Sequence, residues 1–127
     1  MGSEAGIASS SEFFPAVLRL AGRRTLVVGG GAVALRKTRD LLRCGALVHV
    51  VARHWPARFE PLMGNPRLRR STRAFRPGDL AGIVLAIATT DDRPTQELVA
   101  AEAERRGVLL NVVDVPDLCG VIVPATL

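Results

Sequence analysis

"RTLVVGGGAVALRK", Arg24 to Lys37, runs a short apolar stretch directly into three consecutive glycines and then into a helical pattern. Glycine loses more backbone freedom on folding than any other residue, so three together need a conformational reason. Two readings are open: a loop shaped around a dinucleotide phosphate, or a tight strand-to-helix turn. "TLVVG", Thr25–Gly29, is β-branched and continuously apolar, as expected of a strand buried on both faces. In "AVALRKTRDLLRC" the residues Val33, Leu35, Thr38, Leu41 and Leu42 recur at helical spacing, with charged residues between them. Gly45 then supplies the stop.

The same rhythm continues outward. "ALVHVVA" (Ala46–Ala52), "GIVLAIATT" (Gly82–Thr90) and "VLLNVVD" (Val108–Asp114) read as further buried strands. "WPARFEPLMG" suggests a short helix started by proline, "RLRRST" a half-polar strand near an edge, and "VIVPATL" one more extended segment. "DDRPTQELVAAEAERRG" predicts a helix capped by Asp92, with Pro94 in its first turn and Gly107 at its end. Strands that alternate with helices pair in parallel, because the helix provides the crossover. The expected fold is therefore α/β, a Rossmann-like doubly wound parallel sheet in a single domain. Residues 1–12 read as a flexible leader and residues 13–127 as the nucleotide-binding domain.

Composition narrows the class. The chain has 127 residues, 48% of them hydrophobic, enough for one domain with a proper core. No apolar run approaches the roughly 18 residues of a membrane span, and the amino terminus lacks a secretory pattern. Cys44 and Cys119 are far apart without zinc-type spacing, and are expected to be reduced thiols packed in the core of an intracellular protein. The net charge of +5 is carried almost wholly by arginine, Lys37 being the only lysine. With the arginines scattered, no tyrosine and one tryptophan, nucleic acid is not the expected partner. No metal site is expected.

In a doubly wound sheet, ligands bind at the carboxyl ends of the strands. That directs attention to Gly29, Gly30, Gly31, Ala32 and Val33, to Arg53 and His54, to Thr89, Thr90 and Asp91, and to Asn111 through Asp114. "GGGAVA" fits G-x-G-x-x-A. In that pattern Gly29 permits the turn, Gly31 lets a pyrophosphate approach, and Ala34 lets helix and strand pack closely. The helix amino terminus then offers unpaired N–H groups to the phosphates. An acidic residue that would hold ribose hydroxyls is missing after the second strand. Arg53 can meet a 2′-phosphate or approach the adenosine, and for both Arg53 and His54 a solvated loop is the alternative. Asp91 and Asp92 could ligate a metal, but for at least one of them capping of the next helix is the better reading. Asp114 is either a general base or substrate anchor at the cleft, or the start of a turn before Pro116.

With these pieces in order, "FFPAVLRLAGRRTLVVGGGAVALRKTRDLLRCGALVHVVA", "LAIATTDD" and "NVVDVPDLCGVIVPA" resemble the precorrin-2 dehydrogenase family, the NAD-binding amino-terminal domain of siroheme synthases. The resemblance spans Phe13 to Ala125. It implies NAD⁺-dependent oxidation of the tetrapyrrole precorrin-2 to sirohydrochlorin in the cytoplasm, with Fe²⁺ insertion by some members. It further implies nucleotide contacts at Ala32, Val33, Arg53 and His54, and assigns dehydrogenation, with chelation where it occurs, to Asp114. Members are homodimers that continue beyond the "PA" into a dimerisation region, which a chain ending at Leu127 is expected to lack. His54 and Trp55 stand where many members have a proline and an acidic residue. The competing reading is a non-catalytic nucleotide-sensing Rossmann module, which normally keeps the acidic residue and need not carry "NVVD".

Overall fold

A computed structural model describes residues 12–124. Five strands form one sheet: β1 (Arg24–Val28), β2 (Leu47–Ala52), β3 (Leu68–Thr72), β4 (Leu85–Ala88) and β5 (Leu109–Val112). Their order is β3-β2-β1-β4-β5, and every pairing is parallel. Among the described residues, two α-helices, α1 (Ala32–Arg43) and α2 (Arg93–Arg106), and short 3₁₀ turns at Ala57–Leu62, Pro77–Leu80 and Pro116–Leu118 complete the fold. This is the expected Rossmann-like fold.

Alternating side chains of each strand build two cores. Val27, Val48, Val50, Leu85 and Ile87 face α1, whose Leu35, Leu41 and Leu42 are buried against them. Leu26, Val28, Val51, Ala86 and Ala88 face the other way, onto Val99 and Ala103 of α2. Ala34 has no exposed surface and sits in the α1 layer, the close helix–strand packing expected of its place in the glycine motif. The two crossovers without α-helices contribute single anchors instead. Phe59 of the 57–62 turn joins the α1 layer and Leu80 of the 77–80 turn joins the α2 layer, both fully buried.

Several boundaries differ from the sequence reading. Gly82–Val84 and Val108 lie outside the strands, because the chain is still turning there: Gly82 has a φ of +73° and Gly107 closes α2 at +70°. "VIVP" forms no strand; instead the N–H groups of Gly120 and Val121 both donate to the Leu110 carbonyl and fold the segment back on β5. Cys44 is exposed at the end of α1 rather than buried, since the pattern of α1 turns it away from the sheet. The expected leader, residues 1–12, lies outside the described residues apart from Glu12. Among the described residues, no helix is long and apolar enough to cross a membrane.

Candidate functional site: a dinucleotide cleft

The register aligns Val28 of β1 with Val51 of β2 and Ala88 of β4, and Ala88 with Val112 of β5. Gly29, Ala52, Thr89 and Val113 therefore share one edge, the carboxyl end of the sheet. β1 and β4 are the neighbours from which the chain winds in opposite directions, so the crevice between them is the switch point where such sheets take ligands.

Each glycine at that edge has a separate reason to be there. Gly29 has a φ of +126°, and a Cβ on it would lie 2.2 Å from Thr89 Oγ1. A Cβ on Gly30 would lie 2.2 Å from the His54 carbonyl oxygen and 2.9 Å from Ala52 Cβ. These two are required by the protein's own packing. Gly31 is different: a Cβ there would meet nothing within 4 Å. It is the N-cap of α1, has ordinary extended backbone, and makes no side-chain cap, and the first turn of α1 carries no acidic residue. The leading N–H groups of a helix have no partner within it. Among the described residues no side chain takes their place, and they open onto a cavity of about 800 Å³. Unpaired donors, a positive dipole end and the absence of a Cβ are what a pyrophosphate needs. The residues present fit a dinucleotide.

Gly29, Gly30, Gly31, Ala32, Arg53, His54 and Thr90 all line this cavity, so seven of the residues singled out from the sequence converge. Val33, Thr89, Asn111 and Asp114 are not among its lining residues. Thr89 serves the loop rather than the cavity: its hydroxyl and its N–H both donate to the Val28 carbonyl, at 3.1 and 2.8 Å. Thr90 holds the start of α2, accepting from the Asp92 N–H at its hydroxyl and from Gln96 Nε2 at its carbonyl. Asp92 caps α2 by accepting from the Thr95 N–H and hydroxyl, and these hydrogen bonds keep its carboxyl below the usual range. No cluster suited to a metal ion occurs among the described residues.

Asn111 departs from its expected place. It alternates with Leu110 and Val112, so its side chain points away from the α2 layer. There its amide donates to the Val121 carbonyl at 3.0 Å and holds the returning segment. Asp114 is exposed, with a φ of +65°, the one left-handed non-glycine among the described residues. It stands in a turn closed by the Val115 N–H on the Val112 carbonyl, at 3.1 Å. The Cys119 thiol packs beneath, bonded to Val112 and Val115, and burial pushes its pKa up.

Among the further lining residues that the sequence reading did not single out are Trp55, Arg58 and Phe75. Trp55 donates to the Thr72 hydroxyl at 2.8 Å and meets the Phe59 ring edge-on at 5.1 Å. The Arg70 guanidinium lies 5.2 Å over its ring. The 57–62 turn is thereby fixed against the end of β2. Trp55, three positions past the end of β2, has no local signal for this place, which the packing of the 57–62 turn creates.

A second cavity, of about 480 Å³, opens over the amino-terminal halves of β1, β2 and β3. Its wall holds Asp79, whose carboxylate accepts two hydrogen bonds from Arg73 at 2.8 and 2.9 Å and one from the Arg76 N–H at 2.9 Å. Burial pushes this carboxyl up, but those donors outweigh it and hold the pKa below the usual value. A depressed folded value means stability that is present above the unfolded value of about 3.9 and is lost as pH falls through the folded one. The stability gap between wild type and Asp79→Asn, measured by urea titration, is expected to be constant near neutrality and to close below about pH 4. A gap that stays open in acid would sink this account. Nearby, His49 is held neutral: its burial and then the Arg69 charge lower its pKa. Arg69 donates to Nδ1 at 3.2 Å, so Nε2–H is the donor to Ser71 Oγ at 2.8 Å.

A family model described as "Putative NAD(P)-binding" matches residues 16–125. The siroheme synthase of Nitrosomonas eutropha is 44% identical over 117 residues, covering 91% of this chain and 25% of that protein. That of Pseudomonas fluorescens is 45% identical over 114 residues, covering 90% of this chain and 25% of that protein. The chain thus spans about a quarter of the length of these curated relatives. A solved structure described as "SirC, precorrin-2 dehydrogenase" superposes with a TM-score of 0.68 at 24% identity, covering 91% of this chain and 53% of that one. At that identity the likeness bears on the fold.

Proposed function

The chain belongs to the NAD(P)-binding family whose model spans residues 16–125, and from that premise we propose that it is the cofactor-binding domain of a siroheme-biosynthesis dehydrogenase, oxidising precorrin-2 to sirohydrochlorin. The observation that carries the cofactor half is the uncapped start of α1 at Gly31, open to the cleft. The substrate half rests on the identity to siroheme synthases over nine-tenths of the chain.

A bound nicotinamide supplies the hydride acceptor. The chain's own part is to bind and orient. N–H groups following Gly31 would hold the pyrophosphate, and the β2 end would hold the adenosine. Oxidation removes a hydride and a proton from the tetrapyrrole. Asp114, at the carboxyl end of β5, is the proposed acceptor of that proton or anchor of the substrate. An arginine-rich chain of net charge +5 suits a substrate bearing many carboxylates. The exposed position of Asp114, outside the cavity wall, favours a second reading: a domain that binds the dinucleotide without turning substrate over.

Absorbance of the reduced nicotinamide separates the two. Supplied with precorrin-2 and oxidised dinucleotide, the wild-type chain is expected to turn over, and Asp114→Ala to be slower by about 100-fold. Equal rates would remove Asp114 from the chemistry. Dinucleotide binding without turnover in the wild type would establish the second reading.

A further inference from the structure

We propose that the adenosine end of the cleft is built for a 2′-phosphate, so that the chain takes NADP(H) in preference to NAD(H), with Arg53 and Arg58 as the selecting residues. This rests on the dinucleotide reading above, and departs from the NAD⁺ that the family resemblance implies.

A ribose with both hydroxyls free is held best by a carboxylate at the end of β2, whereas a 2′-phosphate calls for arginine there. β2 ends at Ala52 and the next residue is Arg53. The turn that carries it lies directly on the glycine loop, since the His54 carbonyl occupies the space a Gly30 Cβ would need. Arg58 follows in the 57–62 turn and lines the same cavity. That turn is rigid: Phe59 is fully buried beneath it, and Trp55 is tied to Thr72, Phe59 and Arg70. Arg58 is therefore presented by a fixed element, not by a loop.

No carboxylate competes for the ribose. Glu60, the one acidic residue in the turn, lies 3.7 Å from Arg70 and does not line the cavity. Asp92 is the only carboxylate in the wall among the described residues, and it is spent on Thr95. Arg53 is near enough to help hold Asp92 ionised, but forms no ion pair with it. The third lining arginine, Arg73, is neutralised by its paired hydrogen bonds to Asp79. Arg53 and Arg58, both exposed, make no ion pair among the described residues. Two guanidinium groups without an ion pair among the described residues therefore line the cavity beyond the end of β2. They suit a phosphate dianion, which accepts their paired N–H groups, and gain little from two hydroxyls.

The full 127-residue chain can be titrated with NADP⁺ and NAD⁺, following the fluorescence of Trp55, its single tryptophan, in the cavity wall. NADP⁺ is expected to bind about tenfold tighter or more, with a preference that weakens as salt rises. Because both side chains are exposed, Arg53→Ala and Arg58→Ala should fold normally. Each is expected to cut the NADP⁺ to NAD⁺ affinity ratio by about tenfold, and Arg53→Asp to bring it to parity or below. NAD⁺ binding as tightly as NADP⁺ would overturn the proposal, and so would a preference that survives both alanine variants. Saturable binding of neither would overturn the dinucleotide reading, and this inference with it.

Discussion

Gly29→Ala is expected to destabilise the protein by about 2–4 kcal/mol, read as a lower urea midpoint with an unchanged slope. Two costs add. The first is conformational: at a φ of +126° an L-residue is strained by about 1–3 kcal/mol. The second is steric, with the new Cβ 2.2 Å from Thr89 Oγ1 and 3.3 Å from the Thr90 nitrogen. Thr89 cannot simply rotate away, because its hydroxyl is bonded to the Val28 carbonyl; losing that bond costs about 1 kcal/mol more. Against a typical total of roughly 5–15 kcal/mol, this is a large fraction. Gly107→Ala supplies the control. Gly107 also has a positive φ, +70°, but its Cβ would meet nothing within 4 Å, so only the backbone cost of about 1 kcal/mol applies. Equal losses for the two variants would show that the close approach of Gly29 to Thr89 contributes nothing.

That contact also marks the boundary of what the sequence made legible. The parallel sheet, both helices and the glycine loop follow from local signals: β-branched runs, helical spacing, Asp92 and Gly107 as caps. Gly29 and Gly31 could be given roles because the motif and the helix start lie within a few residues of each other. Gly30 could not, since its reason is the carbonyl of His54, placed there only once β2 pairs with β1. Nearness to a strand end places Asn111 at the cleft. The period-2 alternation that buries Leu110 and Val112 against α2 points it the other way, and the folded-back Val121 supplies its acceptor. Trp55 and Arg58 enter the cleft because the 57–62 turn packs back over β2 around Phe59, a non-local event with no signature in spacing. A turn at Asp114 is one of the two readings the sequence leaves open, but its left-handed backbone has no sequence signal; a functional role is compatible with it, since the carboxylate is exposed.

Gly31→Ser separates the phosphate cradle from the mere turn, because the two readings assign it opposite consequences. Gly31 has the extended backbone typical of an N-cap, and there is room for a side chain. Serine is a better N-cap than glycine, so the variant is expected to fold as stably as wild type or more so, by a few tenths of a kcal/mol. It achieves this by turning its hydroxyl onto an N–H in the first turn of α1, one of the donors a pyrophosphate requires. Cap and ligand then compete for the same group, and the added Cβ stands in the path of approach. Hydrogen bonds to a charged group are worth about 1.5–3 kcal/mol each, so losing one weakens dinucleotide affinity by roughly 10- to 100-fold. The expected pair of results is an unchanged or raised urea midpoint together with a loss of Trp55 quenching by dinucleotide. If affinity is retained while stability rises, the three glycines serve the turn alone, and the ligand must be held elsewhere in the cleft.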